Sequence, residues 1–223
     1  MNDVSRLKNF IVKLNSQMSI DYEKIKEIFN SPYGHNALDP LRDEICKCYI
    51  CGLYQATITL TNHFLEKSLK YCLGLKYSIE NIKDGMEIQN VFIDGINKYD
   101  IYNLGRSIEE AFLQGLITEE QKQELKGFKD EFRNSYSHAN KKTLNDTTVR
   151  AQQIPIYNLE NNFEDFCKQC FDMSLDNEIP AENLPFVQGD LQSAIAKEKC
   201  YPYFESVDKI VRSMLKKQKN KVS

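Results

Sequence analysis

The chain has 223 residues, 41% of them hydrophobic and 27% charged, which suits one sizeable globular domain or one domain with extensions. A formal net charge of −3 excludes a global basic field of the kind that advertises nucleic-acid binding, and no apolar run approaches membrane-spanning length. Seven cysteines, an odd number, follow a polar amphipathic opening rather than an export signal, which predicts reduced thiols and a cytoplasmic location.

Nine glycines and six prolines leave long uninterrupted stretches that favour helix. Residues 1–30 read as one or two amphipathic helices, with stripes Leu7, Phe10, Ile11, Leu14 and Tyr22, Ile25, Ile28, Phe29. Ser31-Pro32-Tyr33-Gly34-His35-Asn36 then marks a loop and a boundary, with His35 expected as an exposed loop residue. Asp39-Pro40 reads as a helix start, with the acid at the N-cap and the proline first inside. Leu41, Ile45, Cys48 and Tyr49 would line one face, and Gly52 is a natural stop.

Residues 53–73 form a long central helix that Gly74 is expected to close. Its polar seam of Thr59, Asn62, His63, Glu66 and Lys70 reads as a solvated or interfacial face, with Glu66 and Lys70 a favourable i,i+4 pair. His63-x-x-Glu66 runs opposite to the di-iron bundle motif and lacks its further carboxylates. Residues 75–98, with Gly85 and Gly95, read as short helical turns and loops.

A third helix over residues 102–113 ends at Gly115. The capping box Thr118-Glu119-Glu120-Gln121 opens a fourth, with stripe Leu125, Phe128, Phe132 and Tyr136. A polar loop (141–153), a fifth helix (154–175), a proline-punctuated linker (176–189) and terminal helices over 191–199 and 203–215 follow. From Lys209 to Lys221 there are six basic residues and no acidic one, leaving −9 on the remainder. No alternating strand signal occurs, so the fold class is all-α, with boundaries expected near residues 38 and 175.

Cys48-Tyr49-Ile50-Cys51 and Cys167-Lys168-Gln169-Cys170 are two C-x-x-C pairs, the composition of a Cys₄ zinc site. Both lie in amphipathic helical runs without knuckle-shaping glycine or proline, and they read first as structural thiols. No metal and no cofactor is expected.

The chemistry is placed on Arg133-Asn134-Ser135-Tyr136-Ser137-His138. Arginine offers a permanent planar fork for phosphate, and histidine a proton near neutral pH. On ideal α geometry five residues rotate by about 500°, setting Arg133 and His138 roughly 140° apart. They would converge only if the helix ends between them or a second subunit completes the site. Asn134 and His138, four apart, share a face, so the amide can orient the imidazole. The plainer account is that cations near a helix C-terminus complement its dipole.

The order of elements resembles the HEPN superfamily (higher eukaryotes and prokaryotes nucleotide-binding). Ile45-Cys46-Lys47-Cys48-Tyr49-Ile50-Cys51-Gly52-Leu53-Tyr54-Gln55-Ala56 is similar to the family's helix, Gly-x-Tyr turn, helix. Leu65-Glu66-Lys67-Ser68-Leu69 is like its Leu-Glu-x-x-Leu, and Arg133 to His138 matches its R-x4-6-H signature. The resemblance covers roughly residues 39–173. It implies an antiparallel helical bundle over 39–175, flanked by an N-terminal helical extension (1–38) and by a linker, C-terminal helix and basic tail (176–223).

It also implies a homodimeric, metal-independent endoribonuclease whose two Arg-His pairs share one cleft. In that scheme His138 transfers protons and Arg133 holds the scissile phosphate. Asn134, Tyr136, Ser137 and Glu66 support them, and Lys141 and Lys142 bind RNA. The implied partners are RNA, a second copy and a protein inhibitor or companion, without a membrane, and the implied role is that of a toxin or antiviral-defence effector. Some members carry a modifiable tyrosine two residues after the histidine; Asn140 stands there instead. The alternatives are a non-catalytic HEPN-like dimerisation or nucleotide- or protein-binding module, and an unrelated helical adaptor.

Overall fold

The computed structural model describes residues 3–82, 87–137, 148–150, 178–180 and 185–222. In chain order these are α1 (Asp3–Phe29), α2 (Asp39–Ile50), α3 (Tyr54–Asn81), α4 (Ile88–Asp100), α5 (Leu104–Leu113), α6 (Glu119–Phe128), a π-wound segment (Lys129–Ser137), β1 (Thr148–Arg150), β2 (Glu178–Pro180) and α7 (Pro185–Val222). The architecture is all-α, with one small addition: β1 and β2 form an antiparallel ladder with Val149 opposite Ile179. The expected fifth helix over 154–175 lies outside the described residues. Among the described residues no helix is long and apolar enough to cross a membrane.

The chain divides into two compact units, residues 1–139 with 193–223, and residues 140–192. In the first unit α3 is the centre, packed against α2, α4, α5 and the π segment. Its Ile58, Phe64, Leu65, Leu69 and Cys72 are fully buried, and Ile25 of α1 and Phe204, Val207, Val211 and Met214 of α7 join the same core. Both end helices therefore contribute to the interior. α1 does so only at its C-terminal half, since Leu7 and Phe10 are 59% and 61% exposed.

The basic run is not a loose tail. Helix α7 continues to Val222, burying Met214, Leu215 and Gln218 between its lysines. Gln218 Nε2 donates to the Cys72 carbonyl at 2.7 Å, and Lys217 Nζ donates to the Leu116 carbonyl at 3.0 Å.

Glycine acts in two different ways. Gly52, at φ +72°, ends α2 with its N–H on the Tyr49 carbonyl and the Leu53 N–H on the Cys48 carbonyl, both at 2.9 Å, a Schellman closure open mainly to glycine. Gly74, expected as a second stop, lies inside α3 instead. A Cβ there would stand 2.9 Å from Ile96 Cδ1, and one on Gly95 would stand 2.6 Å from the Gly74 carbonyl oxygen. The two glycines let α3 and α4 touch backbone to backbone. Residues 75–98 are accordingly in two continuous helices over most of their described length, where short helical turns and loops were expected, because glycine served close packing and not chain reversal.

Asp39 also departs from expectation. Leu38 holds the N-cap position, and Asp39, in the first turn, reaches back to accept the N–H groups of Tyr33 and His35, each at 2.8 Å. His35 is thereby held half-buried, Nδ1 3.0 Å from the Tyr71 hydroxyl. The buried face of α2 is Arg42, Ile45, Cys46 and Tyr49, so Arg42 and Cys46 stand where Leu41 and Cys48 were expected. The capping box of α6 forms as read, with Thr118 and Gln121 bonded reciprocally at 3.0 and 3.3 Å.

Burial pushes the thiols of Cys46, Cys72 and Cys200 up to about 12, the condition of structural and not nucleophilic cysteines. Cys167 and Cys170 lie outside the described residues.

Candidate functional site

Asn62, expected on a solvated or interfacial seam, is buried between helices and works as a relay. Its Oδ1 accepts from the Tyr203 hydroxyl at 2.8 Å, and its Nδ2 donates to the Phe132 carbonyl at 3.4 Å. The Phe132 ring stacks on Tyr203 with centroids 4.5 Å apart and leans on Phe128 at 5.9 Å. Three side chains from α3, α6 and α7 thus fix residue 132, and residue 133 follows it to the surface.

Arg133 is 31% exposed. One terminal nitrogen lies 3.5 Å from Glu66 Oε2, while Glu66 Oε1 lies 3.2 Å from Lys70 Nζ. Lys70 in turn donates to the Asp100 carbonyl at 2.8 Å. This chain of charges is partly solvated, and each pair is worth at most about 1 kcal/mol. Among the described residues this is one contact at 3.5 Å, which does not engage the guanidinium bidentately.

Winding matters as much as contacts. The 140° separation expected for Arg133 and His138 assumed α geometry, but Lys129–Ser137 is π-wound, with i→i+5 bonding. The α-based angle therefore does not apply within the segment that carries Arg133. Asn134, Tyr136 and Ser137 belong to this segment; His138, Lys141 and Lys142 lie outside the described residues.

Beside Glu66 runs a groove of about 650 Å³ between α3 and α4. Tyr71, Phe92 and Ile96 form its floor, and His63, Lys67 and Asp100 line its rim. His63, Lys67 and Tyr71 recur at helical spacing in the sequence, but the groove was not legible while residues 75–98 were read as short helical turns and loops. Burial raises the Tyr71 phenol above the ordinary tyrosine range, so it stays protonated. Among the described residues no three His, Cys, Asp or Glu side chains are placed to hold a metal ion.

Compared with known proteins, the chain matches no family model, no curated protein and no solved structure.

Proposed function

We propose that the chain is a metal-independent endoribonuclease of HEPN type, acting as a cytoplasmic homodimer on RNA, as a toxin or defence effector held in check by a protein inhibitor or companion. The observation that carries this reading is Arg133. A buried relay anchors the residue before it, its own guanidinium stays partly exposed, and it lies on an i→i+5 segment at a five-residue interval from His138.

In the proposed reaction the ribose 2′-oxygen attacks the adjacent phosphorus while a base takes its proton. The P–O5′ bond breaks, and an acid protonates the departing oxygen. The products are a 2′,3′-cyclic phosphate and a 5′-hydroxyl. His138 serves in proton transfer, Arg133 neutralises charge building on the phosphoryl oxygens, and Asn134 orients the imidazole. Tyr136 and Ser137 supply hydrogen bonds, Glu66 positions Arg133, and Lys141 and Lys142 hold the RNA backbone. DNA, lacking the nucleophile, is not a substrate.

Incubating purified protein with total RNA in EDTA tests this. Cyclic-phosphate ends are expected; cleavage that requires a divalent ion, or no cleavage, overturns it. The Glu66 contact favours a second reading, in which Arg133 is a structural cation of a non-catalytic HEPN-like module. That module would bind RNA or nucleotide without cutting it. Sedimentation tests the dimer, and a monomer with full activity removes the shared cleft.

A further inference from the structure

The groove beside Glu66 has features that ion pairing does not use. His63, Glu66, Lys67, Lys70 and Tyr71 occupy one face of α3 at i, i+3, i+4, i+7 and i+8. Glu66 and Lys70 satisfy each other, whereas His63 and Lys67, both exposed, have no polar partner among the described residues. Among the described residues the Lys67 ammonium therefore stands at the rim without an ion pair, on a rim that the Asp100 carboxylate also lines. Behind it the floor is aromatic: Tyr71 and Phe92 meet edge to face with centroids 5.9 Å apart. The Tyr71 hydroxyl is fixed by His35 Nδ1 at 3.0 Å, so the ring is held before any ligand arrives. The volume, about 650 Å³, falls in the range of small-molecule sites.

An aromatic floor with a cation at its edge is the composition that receives a nucleobase and its phosphate. We propose that this groove seats a nucleoside of the RNA strand, with its base against Tyr71, Phe92 and Ile96 and its phosphate toward Lys67 and Arg133. The assignment rests on the ribonuclease reading, which supplies the reason for a base to lie beside Arg133. Glu66 bridges the two places, with one oxygen on Arg133 and the other on the groove lysine Lys70. The seat sets which nucleotide flanks the cut, because the floor and the fixed Tyr71 hydroxyl are what a base edge meets.

The test is titration of the full-length chain with the four ribonucleoside 3′-monophosphates, and separately with inorganic phosphate, followed by NMR shifts. Shifts at Tyr71, Phe92 and Ile96 with the nucleotides, differing among bases and absent with phosphate, are expected. Phe92→Leu keeps apolar bulk and removes the ring, and should weaken nucleotide binding by about tenfold. Lys67→Glu, on an exposed position, should weaken it similarly and flatten its salt dependence, because one cation–phosphate contact is lost. In cleavage assays both variants should raise KM more than they lower kcat. Silence of the groove at millimolar nucleotide, equal shifts with phosphate alone, or unchanged binding in Lys67→Glu overturns the proposal, even where RNA is cut. Nucleotide binding in the groove without any RNA cleavage removes the ribonuclease reading and supports the seat.

Discussion

Two arginines mark two regions of the first unit that use the same side chain differently. Arg42 is 1% exposed and engaged on several sides. It donates to the Ile28 carbonyl, to the Phe29 carbonyl at 3.4 Å and to Asp43 at 2.8 Å, closing the end of α1. Its guanidinium lies 5.6 Å from the centre of the Tyr33 ring, and the Tyr33 hydroxyl donates to Asp208, which also accepts from Arg212 at 2.7 Å. Arg133, 31% exposed, meets one carboxylate at 3.5 Å among the described residues. An arginine whose donors go to fixed backbone carbonyls holds elements together. One that faces a flexible acid at the surface remains available to a ligand.

The comparison breaks most visibly in rate. Arg133→Ala and His138→Ala should each lower RNA cleavage by roughly 10²–10⁴. The Arg133→Ala melt should shift by no more than an exposed pair allows, about 1 kcal/mol. Arg133→Lys should not restore the rate, because a point charge lacks the fork. A folded His138→Ala dimer that cuts at the parental rate ends the ribonuclease reading.

Arg42→Ala should do the opposite, costing about 3–5 kcal/mol in urea unfolding while leaving cleavage per folded molecule intact. Parental stability in that variant would mean that the carbonyl contacts do not hold α1.

Alkali should separate the regions as well. Burial raises Cys46 to about 12 and raises Tyr33 further, with Asp208 adding to the latter. Their neutral forms are favoured in the fold, so the unfolded chain releases these protons first. The stability they contribute is complete below the ordinary thiol value of 9.0 and is lost as pH climbs from there toward about 12. The expected slope is at most about 1.4 kcal/mol per pH unit per group, and Cys46→Ala should flatten it. Melting temperatures that stay level to pH 11 would contradict this account.

The smallest effect belongs to Glu66→Gln. Losing a solvated contact worth at most about 1 kcal/mol should slow cleavage about fivefold or less, with little change in melting. A loss as deep as that of Arg133→Ala would move Glu66 into the reaction itself.

What was legible in the sequence follows from how local each cause is. Gly52 and the Thr118 capping box act within one turn, and both were readable from a few residues. The all-α class followed from periodicity summed over many. Gly74 was misread because its reason, Gly95, lies on another helix. Arg42 was invisible for a related cause: a charged residue on a helix reads as surface until the carbonyls of α1 are brought to it. Asn62 was assigned to a solvated or interfacial seam, since nothing local announces Tyr203 and Phe132. Arg133 was singled out by its motif, but its setting was not readable, because the stripe of Phe128, Phe132 and Tyr136 is spaced for α winding.

That winding has a genetic consequence. A turn closed from residue i to i+5 contains one residue more than an ordinary turn, so Lys129–Ser137 resembles a helix that has absorbed an insertion without breaking. Deleting one exposed residue, Asp130, gives the backbone a route back to common helical winding while later positions keep the faces that the wide turn preserved. Most deletions inside a helix damage packing first. This one should leave a better-wound helix with its arginine on the same face. The place of Arg133 thus tolerates the loss of a residue before it, where ordinary winding would swing it by about 100°.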